Sequence, residues 1–475
     1  MSRPGTRLSR SPAPDVAPQH GRAAIPPRPS RIAVRVAVLV AFLAPMLLLA
    51  QHAGAAGFIR QPPPPVGQRS PRPTAPTPVS GSVTFYGRGY GHGVGLSQYG
   101  ARGRAEAGQL APAILAHYYA GTTLGSLTAG TQIRVLVLEK WTASQAVPLV
   151  IHGRSGTWSI DGIAATFPAD ASLRLAPTIA GLTVTWRLKV FRVDGVQLYS
   201  AVSSAPFVVR PVAAATILQL DSKPSSFDRY RGVLRVIASA TTPKIDVVNE
   251  LPLETYLRAV VPSEMPSTWH PQALQAQAIA ARGYAARRIN PAATFDVFDD
   301  TRSQVYHGLL AERSTTDAAI AATANRVLKS GTSIATTLFH STGGAATENN
   351  ENVFVSATGD IVVSPVSYLR GSSDRAPNGT PYDSSSPWIA WQTKTYTVAQ
   401  LSAWFGSDPR TSVGTLTALD LRRRGVSGRL ISITLIGSGG TKKVSGDVFR
   451  SVFNAKRPAA DPILRSNLFD VVPLH

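Results

Sequence analysis

The chain has 475 residues and no cysteine, and it carries 48 Lys and Arg against 27 Asp and Glu, a formal net charge of +21. Hydrophobic residues make up 44% of it and charged residues 16%, which excludes a chain that is disordered throughout. The absence of cysteine excludes a disulfide framework, thiolate metal sites and cysteine nucleophiles. The length allows two to four domains.

The N-terminus has the three parts of a secretory signal. Residues 1–35 contain seven Arg and one Asp, residues 36–50 are apolar apart from Pro45, and Ala53-Gly54-Ala55 fits a signal-peptidase site. The sequence therefore predicts a signal peptide over 1–55 and a secreted protein at the cell wall or the extracellular face of the membrane. An uncleaved membrane anchor is the alternative, although the apolar run is short for a span of about 20 residues.

The basic charge indicates acidic partners for an exported protein. Teichoic acids, anionic lipids and peptidoglycan carboxylates all fit, whereas nucleic acid has little support. The alternative is that the charge reflects an arginine-rich composition and serves solubility alone.

The rest of the chain divides into four segments by composition and periodicity. Residues 56–81 form a linker with eight prolines in residues 61–80, and residues 82–130 combine a glycine-rich motif with helices near 96–107 and 112–119. Residues 131–229 alternate like a β-rich module. Residues 230–475 open with strands near 230–236 and 245–248. The fold class predicted is α+β, a mixed strand-and-helix core with a β-rich module.

Three helices are predicted within 230–475. The first is short and is stopped by Pro262, the second runs from Pro271 to Arg288, and the third covers residues 316–327. The second helix has an alanine-rich stripe that favours tight packing on a sheet. Residues 331–475 are expected to return to strands and loops.

The glycine-rich motif covers Gly87 to Gly95, where five glycines alternate with Arg88, Tyr90, His92 and Val94. Such alternation lets the backbone adopt positive φ or approach a ligand closely. Gln98 follows and suits contacts with a sugar or an amide. A tight structural turn with a hydrogen-bonded His92 is the alternative.

Glu264 lies between Pro262 and Pro266 at the junction of two helices. Its neighbours Val261, Met265 and Trp269 are apolar, so its pKa should be raised, and such a carboxyl group can donate a proton to a leaving oxygen. The alternative is a carboxylate that caps the following helix. Glu254 is expected to be structural or to face solvent.

A third group combines polar, aromatic and double-glycine elements. It consists of Gln304-Val305-Tyr306, Phe339 to Gly344, and Thr347-Glu348. These residue types could line a polysaccharide groove. His340 within this group could equally be a core or a surface residue.

Two sets of these motifs together resemble the stage II sporulation protein D family, also called the amidase-enhancer domain. One is the glycine-rich motif continued through Ala101. The other comprises Ile245–Leu257, Val261–Pro266, Ala273–Arg282, Ser303–Tyr306 and Ser341–Gly344. The resemblance covers roughly residues 82–475.

The chain departs from the family pattern in two ways that matter here. The family usually carries the glycine-rich motif near its C-terminus, so the order in this chain implies a circular permutation. That permutation predicts that the strand around Leu468–Val471 lies beside residues 83–85. Phe298 and Ser303 also stand near the positions where many relatives have a cysteine pair, so the resemblance implies no metal, no disulfide and no cofactor.

The resemblance implies a lytic transglycosylase that cleaves peptidoglycan glycan strands stripped of their stem peptides (denuded glycan), with Glu264 as the catalytic acid/base. The other site residues it suggests are substrate-binding groups, namely Arg282, Gln304, Tyr306, Ser341, Gly343, His92 and Gln98. The alternative is a non-catalytic glycan-binding module that stimulates a cell-wall amidase as its partner. Under either reading, contact with the membrane is expected only through an uncleaved signal segment.

Overall fold

The computed structural model describes residues 73–203 and 207–474. The predicted signal peptide and most of the linker lie outside the described residues. Within the described ranges, every helix is too short or too polar to cross a membrane.

The helices and strands have the following bounds. The helices are α1 (Gln98–Glu106), α2 (Ala111–Tyr118), α3 (Leu253–Glu264), α4 (Pro271–Ala286), α5 (Ser314–Ala322), α6 (Asn350–Val353), α7 (Val398–Gly406) and α8 (Gly446–Lys456), with a 3-10 helix at Gly308–Ala311. The first strands are β1 (Thr77–Pro78), β2 (Ser82–Val83), β3 (Tyr86–Gly87), β4 (Leu96–Ser97), β5 (Thr123–Ser126), β6 (Gln132–Thr142), β7 (Leu149–Arg154), β8 (Trp158–Ile160), β9 (Thr166–Phe167), β10 (Ser172–Ala180), β11 (Thr183–Phe191), β12 (Gln197–Ser203), β13 (Phe207–Pro211) and β14 (Ile217–Gln219). The remaining strands are β15 (Arg229–Tyr230), β16 (Val233–Ala238), β17 (Lys244–Pro252), β18 (Val297–Phe298), β19 (Arg326–Ser330), β20 (Ser333–Ile334), β21 (Phe339–His340), β22 (Trp391–Gln392), β23 (Tyr396–Thr397), β24 (Leu416–Asp420), β25 (Ser432–Gly437), β26 (Gly440–Ser445) and β27 (Phe469–Asp470). This mixture of helices and sheets confirms the α+β fold class.

Two large sheets dominate the region predicted to be β-rich. One has the strand order β12-β11-β10-β7-β14-β15 and the other the order β18-β6-β17-β16-β13-β8-β9. The second sheet pairs β6 with β17 and β13 with β16, so it crosses the predicted boundary between residues 229 and 230. Both sheets contribute to one hydrophobic cluster that also includes buried residues of α3 and α4. The β-rich segment therefore shares its core with the helices that carry Glu264.

Helix α4 lies between two hydrophobic clusters. Ala278 and Ala281 pack in the cluster of the large sheets, while Ala276 and Ala280 pack in a second cluster with α1 and α2. Small side chains on both faces allow this close approach. The prediction that α4 packs on a sheet therefore describes only one of its faces, because the other face packs against α1 and α2.

The ends of two predicted helices differ from the structure. Helix α3 continues through Pro262 to Glu264, because a proline in the last turn forfeits only its own N–H bond while its φ suits a helix. Helix α5 ends at Ala322 rather than near 327, where Asn325 has a φ of 59° and the chain turns into β19. Helices α7 and α8 were not predicted.

The two ends of the folded region meet in a third hydrophobic cluster. β3 pairs antiparallel with β27, with Gly87 opposite Phe469, and the Phe85 and Phe469 rings meet edge to face at 5.6 Å. This pairing is the one the permutation predicts, although it lies beside residues 86–87 rather than 83–85. The permutation itself stays a prediction. The predicted linker, residues 56–81, extends too far, because β1 within it already pairs with β24.

Candidate active site

Glu264 is the last residue of α3, at the end where the helix carbonyls point outward. Its Oε1 accepts a hydrogen bond from the Val305 N–H at 2.9 Å. Pro266 follows closely, and the chain then crosses to α4 through a short segment that contains Trp269. A carboxylate anion at a helix C-terminus is electrostatically unfavourable. The local sequence therefore holds this group where the neutral acid is favoured.

The surroundings of Glu264 raise the pKa of its carboxyl group. Burial is the main cause, and the hydrogen bond from Val305 and the nearby Gln98 side chain oppose it. The side chain keeps a partly exposed surface although protein atoms fill most of the space around it. No charged side chain within 73–203 and 207–474 contributes to the shift. The result is a solitary carboxyl group that stays protonated to higher pH and remains accessible from solvent.

Two tyrosines lie near Glu264, Tyr256 on α3 itself and Tyr284 on α4. Burial raises the pKa of Tyr284 and of Tyr256, and the charge of Glu264 adds to both effects. The Tyr284 hydroxyl donates to the Ser303 carbonyl at 3.1 Å and the Tyr256 hydroxyl donates to Gln304 at 3.2 Å. Both tyrosines thus remain neutral and have fixed partners.

Gln98 is brought to Glu264 by the start of α1. Ser97 caps that helix, its Oγ accepting the N–H groups of Gly100 and Gly343 at 3.2 and 3.1 Å. The Gln98 side chain is 7% exposed, and its Nε2 forms no hydrogen bond of standard geometry within the described ranges. The carboxamide is close enough to Glu264 to lower the pKa of its carboxyl group, so the Gln98 N–H donor lies beside that group. Sequence order alone does not bring residues 98 and 264 together.

The glycine-rich motif packs against the backbone of residues 338–343. β4 pairs in parallel with β21, and Tyr90 bridges to Thr342. The glycines at 89, 91, 93 and 95 have φ between 71° and 101°. A side chain at any of these four positions would press on its neighbours, for example on the Leu338 carbonyl at Gly95. The alternation predicted from the sequence therefore serves positive φ and close approach to another segment of the same chain.

His92 and His340 form an imidazole pair beside this motif, in which His340 is buried and His92 is half-buried. Their ring centroids are 5.4 Å apart, and His92 Nδ1 accepts the Val94 N–H at 3.0 Å. Burial lowers the pKa of His92 to about 4 and that of His340 well below its usual value. Nδ1 of His340 lies 3.3 Å from the Val94 carbonyl, and its buried Nε2 has no partner within the described residues. Both rings are neutral at ordinary pH.

Three of the predicted substrate-binding residues point into the protein interior instead. Arg282 has no exposed surface and forms a bidentate ion pair with Glu254 at 2.7 and 2.8 Å. Gln304 is equally buried, and the Tyr306 hydroxyl donates to Asn249 at 2.7 Å. In this structure these groups have no surface to offer a ligand. Gln304 and Tyr306 anchor the chain on either side of Val305, and Arg282 binds the Arg326 carbonyl at 2.9 Å. Glu254 is structural, which is one of the two roles expected of it.

Ser341 and Gly343 lie closer to the candidate site. Ser341 is half-buried and its carbonyl accepts the Tyr99 N–H at 3.0 Å. The Gly343 N–H is bonded to Ser97, and its carbonyl accepts from Arg429 at 2.8 Å. Gly343 therefore acts as a connector, and only Ser341 retains a partly exposed side chain.

The sequence grouped Glu348 with residues that could line a groove, whereas the structure makes it an internal anchor, and Arg429 was missed altogether. Glu348 has no exposed surface, and its carboxylate accepts five hydrogen bonds, which come from Asn349 N, Asn352 Nδ2, Val426 N, Ser427 N and Ser427 Oγ. Arg429, 2% exposed, packs against Gly93 and binds the carbonyls of Gly343 and Ala346. No local motif marks Arg429, so no signal in the sequence could have found it.

The loop near the family's cysteine pair is closed by a hydrogen bond in this chain. The Phe298 N–H donates to the Ser303 hydroxyl at 3.1 Å. Within residues 73–203 and 207–474, no three His, Asp or Glu side chains converge as a metal site would need.

Part of this site is similar to a known protein family. The fold and the site define a mixed α+β protein organised around one protonatable glutamate at a helix junction. Residues 241–329 match the family model described as Stage II sporulation protein, a range that includes Glu264 and Arg282 but not the glycine-rich motif. This segment is thus similar to the stage II sporulation protein D family, which confirms the resemblance.

Curated relatives extend this match over different lengths. The Stage II sporulation protein D of Bacillus subtilis (strain 168) is 32% identical over 190 residues, which are 36% of this chain and 51% of that protein. The Amidase enhancer of the same organism is 63% identical over 43 residues, 9% of this chain and 6% of that protein. An uncharacterised protein of Brachyspira hyodysenteriae is 38% identical over 111 residues, 23% of this chain and 30% of that protein. The chain spans about half or less of the length of these relatives.

Proposed function

We propose that this protein is an exported cell-wall enzyme that cleaves peptidoglycan glycan strands as a lytic transglycosylase, with Glu264 as its general acid and base. The observation that carries the proposal is the solitary Glu264 carboxyl group, with its raised pKa and its open side toward solvent. A general acid works best when its pKa approaches the working pH, which burial achieves here.

A single carboxyl group is enough for this reaction. Protonated Glu264 donates its proton to the glycosidic oxygen, and the bond from the anomeric carbon to that oxygen breaks. The resulting Glu264 carboxylate then removes the proton of the C6 hydroxyl of the same sugar, whose oxygen bonds to the anomeric carbon. The product is a 1,6-anhydro ring, water is not consumed, and Glu264 ends protonated as it began. Hydrolysis by a pair of carboxylates would need a second acidic group beside the first.

The groups around Glu264 suit supporting roles. The Val305 N–H holds one carboxyl oxygen and leaves the other for the substrate. The Nε2 group of Gln98, which lies beside the Glu264 carboxyl group, fits an acetamido or hydroxyl oxygen of a sugar next to the reacting bond. Ser341 and His92, both partly exposed, are further candidates for contacts with the glycan. Gln304 and Tyr306, buried on either side of Val305 in the chain, act as positioning residues, while Arg282 is held by Glu254 and the Arg326 carbonyl and has a structural role.

A second candidate function is a non-catalytic glycan-binding protein that stimulates a cell-wall amidase. The name of the Amidase enhancer from Bacillus subtilis, 63% identical over its matched 43 residues, favours it. The cost of burying an ionisable group argues for the enzyme, because glycan binding alone needs no protonatable carboxyl group at this position.

Mass spectrometry of glycan strands without stem peptides tests the proposal. The strands are incubated with the full chain or with Glu264→Gln, and Glu351→Gln serves as a control acidic substitution away from the site. Products with anhydro ends should form with the wild type and the control, and the E264Q rate should be lower by about 10²–10⁴-fold. Reducing-end products would mean hydrolysis. Strands that bind without being cut would support the amidase-enhancer function instead.

A further inference from the structure

Arg465 is stacked against two aromatic rings at the glycine-rich motif, and none of these three groups takes part in the reaction proposed above. The Arg465 guanidinium carbon lies 3.4 Å from the centre of the Trp388 ring and 5.5 Å from the centre of the Tyr90 ring. The two rings meet edge to face, with centroids 6.0 Å apart and planes inclined at 86°. All three side chains keep exposed surface. The cation is therefore held by aromatic contacts and remains accessible from solvent.

The backbone of the glycine-rich motif fixes the three groups relative to one another. The Gly89 N–H donates to the Trp388 carbonyl at 2.8 Å, and the Gly91 N–H donates to the Arg465 carbonyl at 3.1 Å. Tyr90 lies between these two glycines, whose φ values of 73° and 101° favour glycine. Three segments that are far apart in the sequence therefore meet here in a defined geometry.

The Arg465 guanidinium has no acidic partner in the part of the chain that the structure describes. Burial lowers its pKa, the Tyr90 phenol opposes this effect, and the charge of Arg457 adds to it. By contrast, Arg450, which donates to the Arg465 carbonyl, is paired with Asp447 at 2.9 Å. The cation that lies near Arg465 is thus another guanidinium, and the counter-charge has to come from a ligand.

The stacking decides which part of the guanidinium a ligand can use. At 3.4 Å from the ring centre, the group must lie nearly flat on the Trp388 indole. Its N–H groups lie in its own plane, so the indole covers one face and leaves their edge uncovered. That edge matches two oxygens of a phosphate or a carboxylate group. The second guanidinium nearby suits a ligand that carries more than one negative charge.

We infer that Tyr90, Trp388 and Arg465 form a stacked-arginine site that binds the oxyanions of an anionic polymer. The guanidinium binds two oxygens of one acidic group, and Arg457 pairs with a neighbouring charge of the same polymer. Phosphodiester and carboxylate polymers share this chemistry. The inference goes beyond the proposed function, because it needs neither cleavage nor Glu264. Only the place where the site would act, retention of the protein on the cell wall, rests on that proposal.

Titrations of the full chain with three probes test the site and identify its ligand. The probes are poly(glycerol phosphate), poly-glutamate of matched charge, and vesicles that contain phosphatidylglycerol. Arg465→Gln should weaken the binding of one or both polymers by about three- to tenfold at low salt, and added salt should reduce the difference. Arg187→Gln, at an exposed cation on β11, removes the same charge elsewhere and should change binding little.

A second pair of variants separates the stacking from the charge. Trp388→Leu leaves the net charge unchanged but removes the ring that orients Arg465, so polymer binding should weaken by about two- to fivefold. Trp269→Leu is the matched control, because the Arg102 guanidinium lies 5.3 Å from that ring but is paired with Glu106. Binding should not change in this control. Arg465→Lys keeps the charge without the planar fork and should restore only part of the affinity lost in Arg465→Gln.

Two results would overturn the site. Equal losses in Arg465→Gln and Arg187→Gln would mean that only the net charge of the protein matters. Binding to the vesicles without binding to either polymer would mean a lipid surface instead. Cleavage of glycan strands is measured separately: unchanged polymer binding in Arg465→Gln leaves the role of Glu264 standing, and a wild type that binds polymer as described but cuts no glycan leaves the stacked-arginine site standing.

Discussion

Two glutamates of this protein, Glu264 and Glu348, are held in opposite ways. Glu348 has no exposed surface and accepts five hydrogen bonds, so its negative charge is fully compensated. Glu264 accepts one backbone hydrogen bond, touches Gln98 and keeps a partly exposed surface. A buried carboxylate whose charge is balanced by many hydrogen bonds is a structural anchor. A buried carboxyl group with few hydrogen bonds can exchange a proton.

The largest expected effect is a loss of folding stability when Glu348 is substituted. Glu348→Gln should lower the free energy of unfolding at neutral pH by about 3 kcal/mol, because an amide cannot accept from all five donors and brings two of its own. Chemical denaturation measures it. Glu351→Gln is a nearby control, since Glu351 is also buried but pairs with one partly exposed residue, Arg370, and should cost about 1–1.5 kcal/mol. Equal losses for both variants would show that Glu348 is not a special anchor.

A glycine pair tests how tightly the anchored side is packed. Gly93 and Gly108 have φ of 86° and 83°, but a Cβ at Gly93 would overlap the Arg429 guanidinium while one at Gly108 meets nothing within 4 Å. Gly108→Ala should cost about 1 kcal/mol from backbone strain alone, and Gly93→Ala about 2–3 kcal/mol. Thermal unfolding of the two variants gives the difference. If the costs match, the contact between Gly93 and Arg429 contributes no stability.

The half-buried imidazole of His92 predicts sensitivity to acid. The pKa of His92 is lowered to about 4 by burial, so the unfolded chain binds its proton first as the pH falls. The stability that neutral His92 provides is complete above the unfolded pKa near 6.5 and is lost between there and pH 4. Relative to His92→Asn, the wild type should therefore lose on the order of 1–2 kcal/mol between pH 7 and 4.5. Denaturation at several pH values measures this, and a difference that does not change with pH would contradict it.

The smallest expected effect has the opposite sign, at Glu264. The raised pKa of its carboxyl group means that ionising it in the folded state is unfavourable, so its contribution to stability is complete below the unfolded pKa and falls as the pH rises through the folded one. Glu264→Gln should be more stable than the wild type at pH 7, by about 1 kcal/mol or less, and equal to it near pH 4. A loss of stability at pH 7, as for Glu348→Gln, would show that Glu264 is an anchor too.

Local patterns predicted many of the elements and several of their limits. The helix predicted from Pro271 agrees with α4, because proline at a first helical position and an alanine-rich run are strong local signals. The Thr397 and Gln400 capping box of α7 was present in the sequence and was overlooked. The predicted end of α3 was wrong, because Pro262 removes one backbone hydrogen bond without stopping the helix, which continues to Glu264.

The candidate site was also predicted only in part. Residue types indicated that Glu264 sits in an apolar frame, and its raised pKa agrees with that. Arg282, Gln304 and Tyr306 were polar residues in matched motifs, and polarity alone does not distinguish a group that binds a ligand from one that binds the interior. Only the burial of Arg282 and its bidentate pairing with Glu254 decide this.

The sequence by itself determined the fold class, the positive-φ glycines of the motif, the resemblance to the stage II sporulation protein D family and the choice of Glu264. These follow from local rules, because backbone conformation, helix starts and apolar framing depend on residues close in the chain. The tertiary structure decided that Gln98 stands beside Glu264, that Glu348 is saturated by residues 426–427, and that the rings of Tyr99 and Trp269 meet. Such pairings join residues separated by 78 to 170 positions, where contact depends on how sheets and helices pack rather than on any local pattern.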